Sequence, residues 1–213
     1  MQSMVFGPER RAGDRPHEPP VEACRRQEKD QWVCRRLLER QLHDGAALRI
    51  SALTLRLGLV RHDAPPGQAA FQVCLGELQD ELHAVLEELR DVAGKLYPPL
   101  LDQAGLGPAL REVADRMGRP VVIVASGERF GVAAEGAAYF AVAECLASLP
   151  AGAPAVEVVV RKETDELMLS VLGVDARHAH LVDDRARPLG GTVDVVDGHG
   201  PGASTITARI PCE

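Results

Sequence analysis

Residues 71–96 read FQVCLGELQDELHAVLEELRDVAGKL. Within them Phe71, Leu75, Leu78, Leu82, Val85, Leu89, Val92 and Leu96 step four, three, four, three without a break. That is the heptad spacing of a helix whose apolar seam meets other helices. Upstream, Asp63-Ala-Pro-Pro-Gly67 breaks the chain, and before it the residues from Val21 to Arg61 contain no proline. There Leu38, Leu42, Ala46, Ile50, Leu53, Leu57 and Val60 form one helical stripe. Leu48, Leu55 and Leu59 form a second, roughly opposite stripe. Two long helices joined by a short Pro-Gly turn pack antiparallel, and a helix apolar on two sides needs two partners. A lone hairpin leaves one stripe uncovered, so the pattern predicts a four-helix bundle formed by dimerisation.

Downstream the character changes. Tyr97-Pro98-Pro99 ends the second helix, because proline lacks the amide hydrogen and disfavours helix just before it. The following pattern predicts helices over 108–117, 132–149 and 178–189, with Tyr139, Phe140 and Val142 facing inward. It predicts strands over 120–125, 155–161, 167–174, 191–196 and 204–210. Strands with helices between them imply a reduced two-layer α/β sandwich. The fold class is therefore α+β, with a disordered tail at 1–20, a helical hairpin at 21–97 and the sandwich at 98–213.

Composition narrows the functions available. Apolar residues make up 46% of the 213 and aromatics only 3%, so Leu, Val and Ala must supply the core. The net charge of −7 offers no basic field for nucleic acid or an anionic membrane. The Arg-rich opening (Arg10, Arg11, Arg15, Arg25, Arg26) reads as a solvated face. Five scattered cysteines without a C-x-x-C argue against a disulfide scaffold and a structural zinc. Three of them fall among apolar helical positions, where a buried thiol is the ordinary reading. Neither a membrane span nor a signal-peptide core is evident, so the expected location is cytoplasmic.

The segment Leu38-Glu-Arg-Gln-Leu-His-Asp-Gly45 resembles the phosphoacceptor box of sensor histidine kinases. It is similar to the subgroup that works with LuxR-type response regulators. The resemblance continues through 96–110, 138–146, Asp184-Arg185 and Leu189-Gly-Gly-Thr-Val193, in the family's order. It implies that His43 accepts a phosphoryl group and that Asp44 is its acid/base partner. A neutral imidazole is nucleophilic and titrates near neutrality. Neighbours at i and i+1 do not face each other on an α-helix, so Asp44 needs help to reach the ring. Glu39, four residues before His43, is the second candidate. The family often carries Gln five residues after the histidine to position water for dephosphorylation; here that position is Leu48.

The ATP-binding half departs from the family. Its magnesium-binding Asn is replaced by Ser148, four residues after Glu144, and Leu149-Pro150 then ends the helix. Its D-x-G-x-G loop is absent; Asp175 in Leu172-Gly-Val-Asp-Ala176 is a slipped substitute at best. The second Gly-rich box and the mobile lid are missing. Gly198-His-Gly-Pro-Gly202 reads as a turn between strands, and His178 and His180 as surface histidines without a metal. The expected function is phosphotransfer between His43 and a response-regulator aspartate, by a histidine-kinase-like phosphotransfer protein or pseudokinase. ATP and Mg²⁺ enter only under the alternative of an active kinase, through Glu144, Ser148 and Asp175. A third reading is a non-catalytic module that pairs with an intact kinase. The expected partners are a LuxR-type regulator and either a second copy or a kinase.

Overall fold

The computed structural model describes residues 21–63, 69–198 and 204–212. The tail at 1–20, most of the Asp63–Gly67 breaker and most of the Gly198–Gly202 turn lie outside them. Helix α1 (Val21–Arg40) runs into a π-helical turn (Gln41–Ala47) and on into α2 (Leu48–Asp63). Helix α3 (Ala69–Leu96) packs antiparallel to α2. Gln72 donates to the Arg61 carbonyl at 3.1 Å near the hairpin tip, and Gly58 faces Gln79 further along.

The first long helix differs from its expected phase. Its buried residues are Trp32, Glu39, Ala47 and Thr54, spaced seven, eight and seven. The step of eight spans the π turn. The expected stripe is only partly inward: Leu38, Leu53 and Val60 are exposed, and Leu42, Ala46, Ile50 and Leu57 are half-buried.

On α3 the heptad divides between two sides. Leu75 is buried and Leu82, Leu89 and Leu96 are half-buried, whereas Phe71, Leu78, Val85 and Val92 are each 45–47% exposed. Leu48, Leu55 and Leu59 on α2 are exposed as well, so both outward stripes lack a cover among the described residues.

Pro99 opens the short helix α4 (Pro99–Ala104), followed by α5 (Leu106–Asp115). A five-stranded sheet runs β1-β2-β3-β5-β4, with β1 (Val121–Ala125) parallel to β2 (Val156–Glu163). The pairings of β3 (Glu166–Val174), β4 (Thr192–Val196) and β5 (Ser204–Pro211) are antiparallel. Alternation puts Val156, Val158 and Val160, Leu167, Leu169 and Val171, and Ile206, Ala208 and Ile210 into the core. Helices α5, α6 (Val132–Ser148) and α7 (Ala179–Ala186) cover that face. Ala133, Ala134, Ala137, Ala138 and Ala141 keep α6 slim enough for close packing. Gly173, at φ +84°, marks a register break between Leu172 and Val174; a Cβ there would stand 2.5 Å from the Ala155 carbonyl oxygen.

The two halves are joined along α1. Trp32, 1% exposed, lies on Gly136 of α6, where a Cβ would come within 2.6 Å of the indole, and 5.8 Å from the Phe140 ring. Arg25, expected on a solvated face, packs over Gly190. At the α6 entrance, Arg129 donates to both oxygens of the buried Glu135 at 2.8 and 2.9 Å, and the Phe130 amide adds a third bond. Such a buried carboxylate is tolerable because its lone pairs are satisfied.

The cysteines also divide differently from expectation. Only Cys145 is buried, its thiol pushed up to about 11 by desolvation, while Cys24, Cys34 and Cys74 are exposed. Their helices present these positions on faces that no element among the described residues covers.

Candidate functional site

His43 sits inside the π turn, with its side chain 43% exposed. Its Nδ1 lies 3.1 Å from Asp44 Oδ1. An ionised carboxylate can only accept, so the ring nitrogen donates and Nε2 keeps its lone pair. This corrects the expectation from α-helical spacing. In the wider turn, consecutive side chains are closer in azimuth than on an α-helix, and adjacent residues can meet. An exposed pair of this kind contributes roughly 0–1 kcal/mol to stability. Its larger effect is to hold one tautomer and one ring orientation.

Glu39 is buried, only 2% exposed, and its Oε1 has no hydrogen-bond partner among the described residues. Burial raises its carboxyl above the usual carboxylate range, His43 partly opposes that, and Asp102 and Asp44 add to it. Asp102 comes from α4 and has a side chain only 9% exposed. It accepts from Arg40 Nε at 2.7 Å and faces Arg36 at 3.8 Å. Its backbone carbonyl accepts from Arg129. Asp102 falls within the 96–110 stretch that carries part of the resemblance, which assigns it no role. Nothing in local spacing shows that two arginines of α1 converge on it.

Two clefts meet at His43. One, of about 220 Å³, is acidic and lined by Glu39, Asp44 and Asp102 beside Arg40 and Gln103. The other, of about 530 Å³, lies between the end of α3 and α5–α6, lined by Arg90, Lys95 and Arg116 with Asp91, Glu112 and Tyr139. Thus Glu39, His43 and Asp44 are brought together as the sequence suggested.

Glu144, Ser148 and Asp175 line neither cleft. Glu144 is ion-paired with Arg185, whose guanidinium also lies over the Phe140 ring. The Ser148 hydroxyl donates to the Cys145 carbonyl at 2.7 Å. Asp175 caps a turn (Ala176–His178) by accepting from the Arg177 amide. It borders a cavity of about 250 Å³ with Pro150, Pro154 and His178. His178 is buried rather than a surface residue, because the cap folds its ring against the Asp175 carbonyl at 3.0 Å; His180 is exposed as expected. Each of the three thus has a polar side-chain atom engaged by a neighbour in its own half of the molecule. Among the described residues, no group of three or more His, Cys, Asp or Glu side chains is arranged to hold a metal ion. No helix among them is long and apolar enough to cross a membrane.

Residues 35–101 match the family model described as histidine kinase. No curated protein matches it in sequence. Among solved structures it is similar to the histidine kinase domain of a blue-light activated histidine kinase from Erythrobacter litoralis. The identity there is 16% and the TM-score 0.42, over 77% of this chain and 94% of that one. The mycobacterial sensor histidine kinase MprB is similar at 16% identity and a TM-score of 0.36, over 51% and 92%. The Acinetobacter baumannii histidine kinase AdeS is similar at 12% identity and a TM-score of 0.37, over 78% and 95%. Residues 35–101 are thus similar to the histidine kinases of two-component signalling.

Proposed function

We propose that this protein carries a phosphoryl group between His43 and the aspartate of a response regulator, of the LuxR type, and does not load His43 from ATP. The observation that carries this reading is the His43–Asp44 pair, held at 3.1 Å where two open clefts meet. Nε2 attacks phosphorus, the acyl-phosphate P–O bond of the regulator breaks, and the Nδ1 proton remains shared with Asp44. The regulator's carboxylate leaves as the anion. Glu39, desolvated beside the ring, is the second group able to hold a proton there.

The internal engagement of Glu144, Ser148 and Asp175 supports a donor other than ATP. The uncovered stripes support a dimer, with a second copy or with a kinase. Full burial of a Leu-sized side chain contributes roughly 1.5–3 kcal/mol. Seven half-exposed residues therefore offer a gross gain of the same order as the 4–15 kcal/mol association cost.

The test uses two donors. Labelled ATP with Mg²⁺ should leave His43 unlabelled, while a phosphorylated response regulator should label it. His43→Gln should abolish that label. Labelling by ATP alone would overturn the reading.

A further inference from the structure

Arg40 stands at the threshold of the π turn, three residues before His43, and both line the cleft of about 220 Å³. Side chains three apart on a helix surface are neighbours, with Cβ atoms about 5–6 Å apart. The other charged groups of that cleft are the carboxylates of Glu39, Asp44 and Asp102, so Arg40 is the only cation among the described residues that line it. A phosphoryl group brings further negative charge into this space. Transfer to His43 therefore needs positive charge aimed at the phosphoryl oxygens. The guanidinium is arranged to supply it. Its Nε donates to Asp102 Oδ2 at 2.7 Å, and its two terminal amino groups meet no hydrogen-bond partner among the described residues. That leaves free an edge whose paired N–H groups match two phosphoryl oxygens. Asp102 is itself fixed. Its side chain is largely buried, its other oxygen faces Arg36 at 3.8 Å, and its backbone carbonyl accepts from Arg129, which is locked on the buried Glu135. A half-exposed arginine held through Nε by such a carboxylate keeps its outer edge in one place, and that pre-organisation is what a reacting group needs.

We propose that Arg40 is a catalytic residue for transfer at His43: its terminal amino groups bind the oxygens of the phosphoryl group in flight, and Asp102 is the positioning residue that aims them. This rests on the phosphotransfer reading and adds to it a charge-stabilising group outside the set of His43, Asp44 and Glu39. Arg40 neither gains nor loses a proton. Its charge offsets the one on the phosphoryl oxygens while the bond to the leaving group breaks and the bond to the ring forms. Arg36 stays on Asp102 throughout, so the carboxylate is never left unpaired.

The experiment uses the full chain and potassium phosphoramidate, a donor that needs no partner protein. The ring of His43 attacks phosphorus, the P–N bond breaks, and the already protonated nitrogen leaves as ammonia. Phosphorus NMR follows the phosphohistidine, with His43→Gln as the background. Arg40→Gln should slow labelling roughly 10²-fold, the loss typical of removing one donor from developing charge. Asp102→Asn keeps the arginine but no longer aims it, and should slow labelling about tenfold. The titration of the phosphoryl group on His43 gives a second reading that a merely structural role would not move. Contact with a guanidinium favours the dianion, so its last ionisation should fall at lower pH in the wild-type chain than in Arg40→Gln. Glu39, Asp44 and Asp102 surround it in both, so the difference isolates Arg40. Arg40→Lys keeps the charge without the paired edge and should fall between the two in rate and in titration.

Labelling of Arg40→Gln within about threefold of wild type would overturn the proposal, as would phosphohistidine titrations that coincide. A lysine variant equal to wild type in both measurements would overturn it even if the glutamine variant failed to fold. Failure of the phosphotransfer reading is distinct. It would appear as no exchange with a phosphorylated regulator by a wild-type chain that still takes phosphoramidate phosphorus on His43, and the Arg40 measurements would stand.

Discussion

The helical half and the sheet half treat their polar residues in opposite ways. Around His43 the carboxylates converge without exhausting one another: among the described residues Glu39 keeps an unpartnered oxygen, and Asp44 meets the ring. Around α6 the corresponding groups are consumed by local contacts, Glu144 by Arg185, Ser148 by the Cys145 carbonyl and Asp175 by the turn it caps. Apolar residues divide along the same line. The sheet half buries most of its own and leaves only Val122 and Val124 on β1 and Val195 and Val196 on β4 exposed, whereas the hairpin leaves Phe71, Leu78, Val85 and Val92 facing outward together with Leu48, Leu55 and Leu59. The sheet half therefore keeps most of its apolar surface to itself, while the hairpin holds the larger share of what is left exposed.

That comparison breaks most decisively at Trp32. Truncating a buried Trp to Ala costs about 3–5 kcal/mol, so Trp32→Ala should lower the urea midpoint strongly if the two halves are one cooperative unit. Two separate transitions by circular dichroism would show the halves to be independent. A smaller effect is expected on the outward stripe. Leu78→Glu with Val85→Glu should convert a dimer to a monomer in sedimentation while changing the melting of the isolated chain little, since both positions are exposed. Unchanged sedimentation would remove the argument for a bundle.

The smallest effect belongs to Glu39. Its carboxyl is raised in the folded state, chiefly by burial. The folded chain then holds that proton more tightly than the unfolded chain, and folding loses stability as pH rises above the ordinary Glu value near 4.3. Glu39→Gln should accordingly raise the melting temperature at pH 7, and the advantage should vanish below about pH 4. A variant less stable than wild type at pH 7 would show that Glu39 is paired rather than desolvated.

Much of this architecture is legible in the residues. The Pro98-Pro99 break, the β-strand alternation and the hairpin follow from local chemistry, and their boundaries lie within a few residues of those expected. The π turn is not legible by the same means. A stripe drawn at α-helical pitch from Leu38 onward fits plausible apolar residues, and nothing in that pattern marks the wider backbone turn at Gln41–Ala47. At the site, His43, Asp44 and Glu39 share one short segment and could be found together. Asp102 lies 62 positions from its partner Arg40, and that pairing exists only once the connector folds back on α1.

The attachment of α1 to the rest of the molecule joins unlike chemistries at its two ends. Near Trp32 it rests on buried rings and an uncluttered glycine, a contact indifferent to ionic strength. Near Arg36 and Arg40 it depends on a charged knot about Asp102, at a cleft that dissolved ions can enter and screen over about 8 Å at physiological salt. Concentrated electrolyte should therefore slacken α1 beside the phosphoacceptor while leaving its far end seated, turning the helix into a cantilever fixed at the indole.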